Sequence, residues 1–135
     1  MRVKKISHVA IASEDPDQAK VLYEDILGLE FTGSETVERE GVETHFYQIG
    51  ESNIEVLEAL SKESPVGRFL TRRGAGIHHL ALEVEDLDGY VEKLKAAGIT
   101  IMSDEPLPGA HGMRIIFLHP KSTGGVLIEL SEKPA

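Results

Sequence analysis

His8-Val9-Ala10-Ile11-Ala12 returns in the second half of the chain as His79-Leu80-Ala81-Leu82-Glu83. Each copy runs into an acidic stretch suited to starting a helix, Asp15-Pro16 in one and Asp86-Leu87 in the other. Each helix is followed by a glycine that can end it, Gly28 and Gly98. Each copy then closes on an apolar strand with a carboxylate at the same step, Ile54-Glu55-Val56-Leu57-Glu58 against Ile128-Glu129-Leu130-Ser131-Glu132. A long unit present twice signals duplication rather than a solenoid array.

The residues around these anchors predict the same order of elements in both copies. Alternation over 5–12 predicts a strand. Asp15 is placed to cap the helix that follows, Pro16 fits its first position, and Gln18 can complete a capping box. Ala19, Leu22, Tyr23 and Ile26 recur at helical spacing, and Gly28 supplies a left-handed stop. Strands are expected near 29–38, 42–50 and 53–59, giving strand, helix and three strands. A connection over 61–75 holds a short helix started by Ser64-Pro65 and ended by Gly74-Ala75-Gly76. The second copy predicts a strand at 77–84, a helix over 87–97 on Leu87, Tyr90, Val91 and Leu94, and strands near 99–103, 113–119 and 125–131. Pro106-Leu107-Pro108-Gly109-Ala110-His111-Gly112 is too rich in proline and glycine to be regular. The expectation is one domain over 1–135, with module 1 at about 5–60 and module 2 at about 76–131.

Composition narrows the chemistry. A chain of 135 residues can bury a sizeable core without a staple. Having no cysteine, it has no disulfide, thiolate metal site or cysteine nucleophile, so any metal must be held by nitrogen and oxygen. The formal net charge of −9 argues against nucleic acid and anionic membranes, which both select clustered Lys and Arg. Met1-Arg2-Val3-Lys4-Lys5 lacks the apolar run of a secretion signal, and no stretch is long and apolar enough to span a bilayer, so a cytoplasmic protein is expected. A small molecule is the expected partner. Arg68, Arg72 and Arg73 could meet an anionic one, but such a run more often forms a solvated helix face.

Strand alternation sorts the repeated residues onto faces. His8 shares its face with Ile6, Ala10 and Ala12, and His79 shares its face with Ala81 and Glu83, while His78 lies with Leu80 and Leu82 on the expected core face. The small alanines leave space in front of each repeated histidine. Glu55 and Glu129 alternate against apolar neighbours, so both carboxylates point away from an apolar layer. A lone histidine in a strand is usually a hydrogen-bonded structural residue, and a lone glutamate is usually its wet face. Repetition favours convergence instead, because buried carboxylates without a cation would be costly. Two nitrogens and two oxygens suit a divalent first-row metal.

The other candidates have plainer readings. His119-Pro120 shapes a turn, His111 sits in a loop where it could touch ligand, and His45 and His78 read as structural. Ser122, Thr123 and the glycines after Lys121 describe a tight turn. No dinucleotide fingerprint, P-loop or nucleophile elbow is present.

At these residues the chain resembles the vicinal oxygen chelate superfamily, and within it the methylmalonyl-CoA epimerase family. The resemblance runs through Ser7-His8-Val9-Ala10-Ile11-Ala12, the stretch from Glu55 to Pro65, Gly76-Ile77-His78-His79-Leu80-Ala81, Pro108-Gly109-Ala110-His111-Gly112 and the long segment from Phe117 to Leu130. It implies an α+β fold in which two tandem βαβββ modules form a curved, cup-like mixed sheet with helices on the outside. His8, His79 and Glu129 are implied metal ligands, and Glu55 stands at the strand position of the fourth. The implied ion is cobalt, with manganese, nickel or zinc as alternatives, and the implied assembly is a homodimer. Some family members carry a further glutamate in the third strand after a Gly-Val pair. Here Gly41-Val42 is followed by Glu43 and Thr44, the matching step is Thr44, and Glu43 falls out of phase.

The implied reaction epimerises an acyl-CoA substrate, methylmalonyl-CoA, by removing the proton α to the thioester and returning one to the opposite face through a metal-stabilised enolate. Glu129 and Glu55 are the expected pair of bases. Two rivals share the fold: a glyoxalase-type lactoylglutathione lyase using the same four ligands, and a metal-free small-molecule-binding protein.

Overall fold

A computed structural model describes residues 1–135, which divide into two compact units: His8–His78, and Met1–Ser7 together with His79–Ala135. The long first strand, β1 (Arg2–Ser13), gives its N-terminal half to the second unit and its C-terminal half to the first. The architecture is α+β with mixed strand directions.

In the unit His8–His78, β1 is followed by α1 (Pro16–Lys20), β2 (Glu30–Val37), β3 (Val42–Ile49), β4 (Ser52–Ala59) and α2 (Pro65–Arg73), with strand order β2-β3-β4-β1. β1 and β4 run parallel, while β2, β3 and β4 pair antiparallel. Asp15 caps α1 by accepting from the Gln18 N–H at 3.1 Å. Its own N–H goes to Ser13 Oγ at 3.1 Å instead of to the Gln18 side chain, so the capping box is half made. The helix then widens into a π-turn over Val21–Ile26, with the Leu27 N–H bonded to the Leu22 carbonyl at 2.9 Å. Gly28 stops it at φ 74°, as its position predicted. Tyr23 and Phe31 lean on the buried Tyr47 ring at 5.6 and 5.4 Å.

Ser64 starts α2, accepting from the Gly67 N–H at 3.0 Å. A methyl on Gly67 would collide with the Ser61 carbonyl, so only glycine lets the connection fold this tightly. The arginines of α2 are exposed, with Arg73 over the Phe69 ring, and Phe69 packs edge-on against His78 at 4.9 Å.

In the other unit, the N-terminal half of β1 is joined by β5 (Gly76–Glu85, within this unit from His79), α3 (Leu87–Ala96), β6 (Leu107–Pro108), β7 (Arg114–Leu118) and β8 (Ile128–Glu132). The order is β1-β5-β8-β7-β6, with β5 and β8 parallel and the pairs β8/β7 and β7/β6 antiparallel. Val84, Leu87, Ile116, Leu118 and Leu130 form the core, against which Tyr90, Val91 and Leu94 of α3 pack. These are the side chains whose helical spacing predicted α3. Asp86 caps the helix from a left-handed conformation, φ 66°, and Glu132 anchors its start by accepting from the Asp86 and Leu87 N–H groups at 2.8 and 3.2 Å.

One strand differs from expectation. Residues 99–103 form no continuous strand: they make a bridge from Ile101 to Leu118, with bonds from the Met102 N–H to the Phe117 carbonyl at 2.9 Å and from the His119 N–H to the Thr100 carbonyl at 2.8 Å. The chain bends away at Ser103, whose hydroxyl donates to the Glu105 carbonyl at 2.7 Å, and returns as Leu107–Pro108 against β7. The result is an edge strand interrupted in the middle, and proline is tolerated there because an outer N–H is not needed for the ladder. No helix is long and apolar enough to cross a membrane.

Candidate metal and active site

Each unit presents one imidazole beside one carboxylate, and the same local plan builds both. In the unit His8–His78, Ala10 of β1 stands in register with Glu55 of β4, and Phe46 of β3 lies across from Glu55 on the other side. In the other unit, Ala81 of β5 stands in register with Glu129 of β8, and Phe117 of β7 lies across from Glu129. The glutamate is therefore flanked by a small residue that leaves room and an aromatic ring that excludes water. Two residues before each alanine stands the histidine. His8 Nδ1 is 2.9 Å from Glu55 Oε2, and His79 Nε2 is 3.4 Å from Glu129 Oε1. The Phe117 ring meets the His79 ring edge-on at 5.3 Å and 89°, which fixes the imidazole plane.

All four residues are buried, none more than 8% exposed. Burying a carboxylate costs several kcal/mol unless a cation or strong donors compensate it. The donors also suit a metal: in each unit an imidazole nitrogen stands beside carboxylate oxygens, with no sulfur, and these are donor types that a divalent first-row ion takes. The residues therefore fit the metal that the family implies.

The remaining sequence candidates separate cleanly. Thr44 is buried on the face of β3 that carries Phe46, whereas Glu43 lies on the opposite face, across from Glu58. The glutamate of some family members is thus absent from the Glu55 face, which carries Thr44 at that step. His119 Nδ1 accepts from the Lys121 N–H at 3.1 Å and closes a turn. Ser122 Oγ accepts from the Thr100 N–H at 3.0 Å, and the Thr123 hydroxyl donates to the Val126 carbonyl, so both serve the turn. His111 is exposed in its loop with a left-handed backbone, φ 57°.

These features define a class. The chain belongs to the glyoxalase/bleomycin resistance protein/dioxygenase superfamily, whose sequence model matches residues 7–117. Enzymes of this superfamily use divalent metals. Within it, the chain is similar to epimerases. It is 39% identical to the mitochondrial methylmalonyl-CoA epimerase of Homo sapiens, over 95% of this chain and 73% of that one. It is also 39% identical to the ethylmalonyl-CoA/methylmalonyl-CoA epimerase of Cereibacter sphaeroides, over 96% of this chain and 98% of that one. A solved structure of a variant Streptomyces coelicolor methylmalonyl-CoA epimerase in complex with 2-nitronate-propionyl-CoA superposes with a TM-score of 0.94 at 34% identity, covering 99% of this chain and 100% of that one.

Proposed function

We propose that this chain epimerises methylmalonyl-CoA, interconverting its R and S forms, with His8, Glu55, His79 and Glu129 holding one divalent metal ion. The observation that carries the reading is the repeated, buried imidazole–carboxylate pair, set in the same Ala–Glu–Phe register in both modules. The names of its relatives supply the substrate.

The chemistry required is removal of a proton from the carbon between the thioester and the carboxylate, and its return from the other face. When bound, the metal supplies a Lewis acid that stabilises the enolate charge. Glu129 and Glu55 are the two bases. One glutamate, as the carboxylate, takes the carbon-bound proton while the electron pair moves into the enolate, and the other, as the carboxylic acid, gives its proton to the opposite face of the same carbon. Phe46 and Phe117 keep water from the carboxylates, and Ala10 and Ala81 leave room for the substrate.

Cobalt is the ion we assign from the family resemblance, with manganese, nickel or zinc compatible with the same donors. The protein acts in the cytoplasm on an acyl-CoA as a homodimer, with no nucleic-acid or membrane partner. The test is epimerisation of methylmalonyl-CoA before and after chelation, run beside a glutathione hemithioacetal with the same metal-loaded preparation. Metal-dependent turnover of the thioester alone is expected. Turnover of the hemithioacetal alone would assign a glyoxalase-type lyase instead, and activity unaffected by chelation would remove the metal from the reading.

A further inference from the structure

On the face of β3 and β4 turned away from Glu55, the side chains of Glu43, His45 and Glu58 bring one donor atom each to within 4.8 Å of one another. Glu43 and Glu58 are directly opposed across the two strands. Like charges in that position destabilise a sheet. His45 lies beside them, with Nε2 3.3 Å from Glu58 Oε1 and Nδ1 2.9 Å from Ser34 Oγ.

The duplicate module shows what occupies the equivalent place. Phe46 lies across from Glu55 as Phe117 lies across from Glu129, so Glu43 is the counterpart of Arg114 and Glu58 the counterpart of Glu132. In the second module the Arg114 guanidinium bridges Glu132 at 3.0 Å and Asp88 at 2.9 Å. Glu132 also accepts the two N–H groups that start α3. In the first module, Pro16 has no N–H and the Asp15 N–H is taken by Ser13, so that second duty has no counterpart for Glu58. A carboxylate thus replaces the guanidinium, the opposing carboxylate is retained, and an imidazole is aimed at it. One module meets the charge with its own cation. The other assembles ligands.

We propose that Glu43, His45 and Glu58 form a second divalent-cation site, separate from the His8, Glu55, His79 and Glu129 set, that takes a borderline first-row ion such as Zn²⁺. His45 Nε2 and one oxygen of each glutamate are the protein ligands, and water completes a four-coordinate shell. Ser34 Oγ, 2.9 Å from Nδ1, is placed to accept an Nδ1–H in the tautomer that leaves Nε2 free to ligate, the usual outer support of a metal-bound histidine. Donors around a zinc ion stand about 3.3 Å apart. The Glu58 side chain is 41% exposed and can close that distance.

The test is calorimetric titration of the chelator-stripped full chain with Zn²⁺ at pH 7, with bound metal counted after gel filtration. Two equivalents per chain are expected for the natural sequence, one each for His45→Ala and His79→Ala, and none for the double variant. Glu58→Gln should weaken the His45-dependent equivalent at least tenfold and leave the His79-dependent one unchanged. Far-ultraviolet circular dichroism confirms that each variant folds. The His45 ring nitrogen resonances should shift on addition of the second equivalent and not on the first. Two equivalents retained in His45→Ala, or a His45 ring that titrates with protons and ignores Zn²⁺, would overturn the proposal. Loss of binding in His45→Ala with none in His79→Ala would instead overturn the first site and keep this one.

Discussion

Glu129 lies directly across from Phe117, in the same register that places Glu55 across from Phe46. The duplicated carboxylates therefore share a setting as well as a sequence position, and their roles can be separated by substitution. Glu129→Gln keeps the shape and a weak oxygen ligand but removes the base. Solvent deuterium incorporation at the substrate α-carbon should fall by about 10²–10⁴-fold. Proton nuclear magnetic resonance measures the exchange, and unchanged exchange with metal retained would remove Glu129 from the chemistry.

Replacing either histidine should act on the metal rather than on the fold. His8→Ala and His79→Ala should each lower metal content and epimerisation together, because an imidazole contributes to holding the ion and not to the proton transfer. Elemental analysis beside the activity assay checks this. Full metal content with lost activity would reassign the imidazole to substrate.

The connection between modules depends on a close approach. Gly67→Ala would press a methyl against the Ser61 carbonyl, and the backbone must shift to admit it. A loss of about 1–3 kcal/mol is expected from urea unfolding. In the other unit, Leu87, the first residue of α3, is fully buried, and Leu87→Ala should cost about 2–5 kcal/mol through the cavity it leaves.

Tyr47 gives a pH signature. Burial, then the nearby Glu24 carboxylate, raises its phenol above the usual value of 10.0. A group raised on folding stabilises the folded state fully below its unfolded pKa and loses that contribution as pH rises through its folded pKa. The natural sequence should therefore lose stability relative to Tyr47→Phe only in the alkaline range above about 10. Urea midpoints of the two proteins at neutral and alkaline pH compare them, and a constant difference across that range would remove the shift.

The duplication, the helix starts and the inward-facing histidines were legible because each rests on a local pattern: period-two alternation around His8 and His79, a capping residue at Asp15 and Ser64, and a stopping glycine at Gly28. The π-turn at Val21–Ile26 was not, since apolar spacing at Leu22, Tyr23 and Ile26 serves an α-helix equally well and only the Leu27 to Leu22 bond distinguishes them. The broken edge near Ile101 has no such local signal, because strand propensity extends to Met102, while the excursion is set by the Ser103 turn and by a return at Pro108. His45 reads as an ordinary strand histidine until the register of β3 on β4 places Glu43 opposite Glu58. Register between strands is a nonlocal property that alternation alone does not fix.

The proposed metal ion takes ligands from both modules. Anomalous diffraction at the metal absorption edge, from crystals loaded with a single divalent metal, tests this most directly. A peak ligated by His8, Glu55, His79 and Glu129 at bond lengths of about 2.0–2.2 Å is expected. An ion held by one module's pair alone, or no peak among these four side chains, would contradict it.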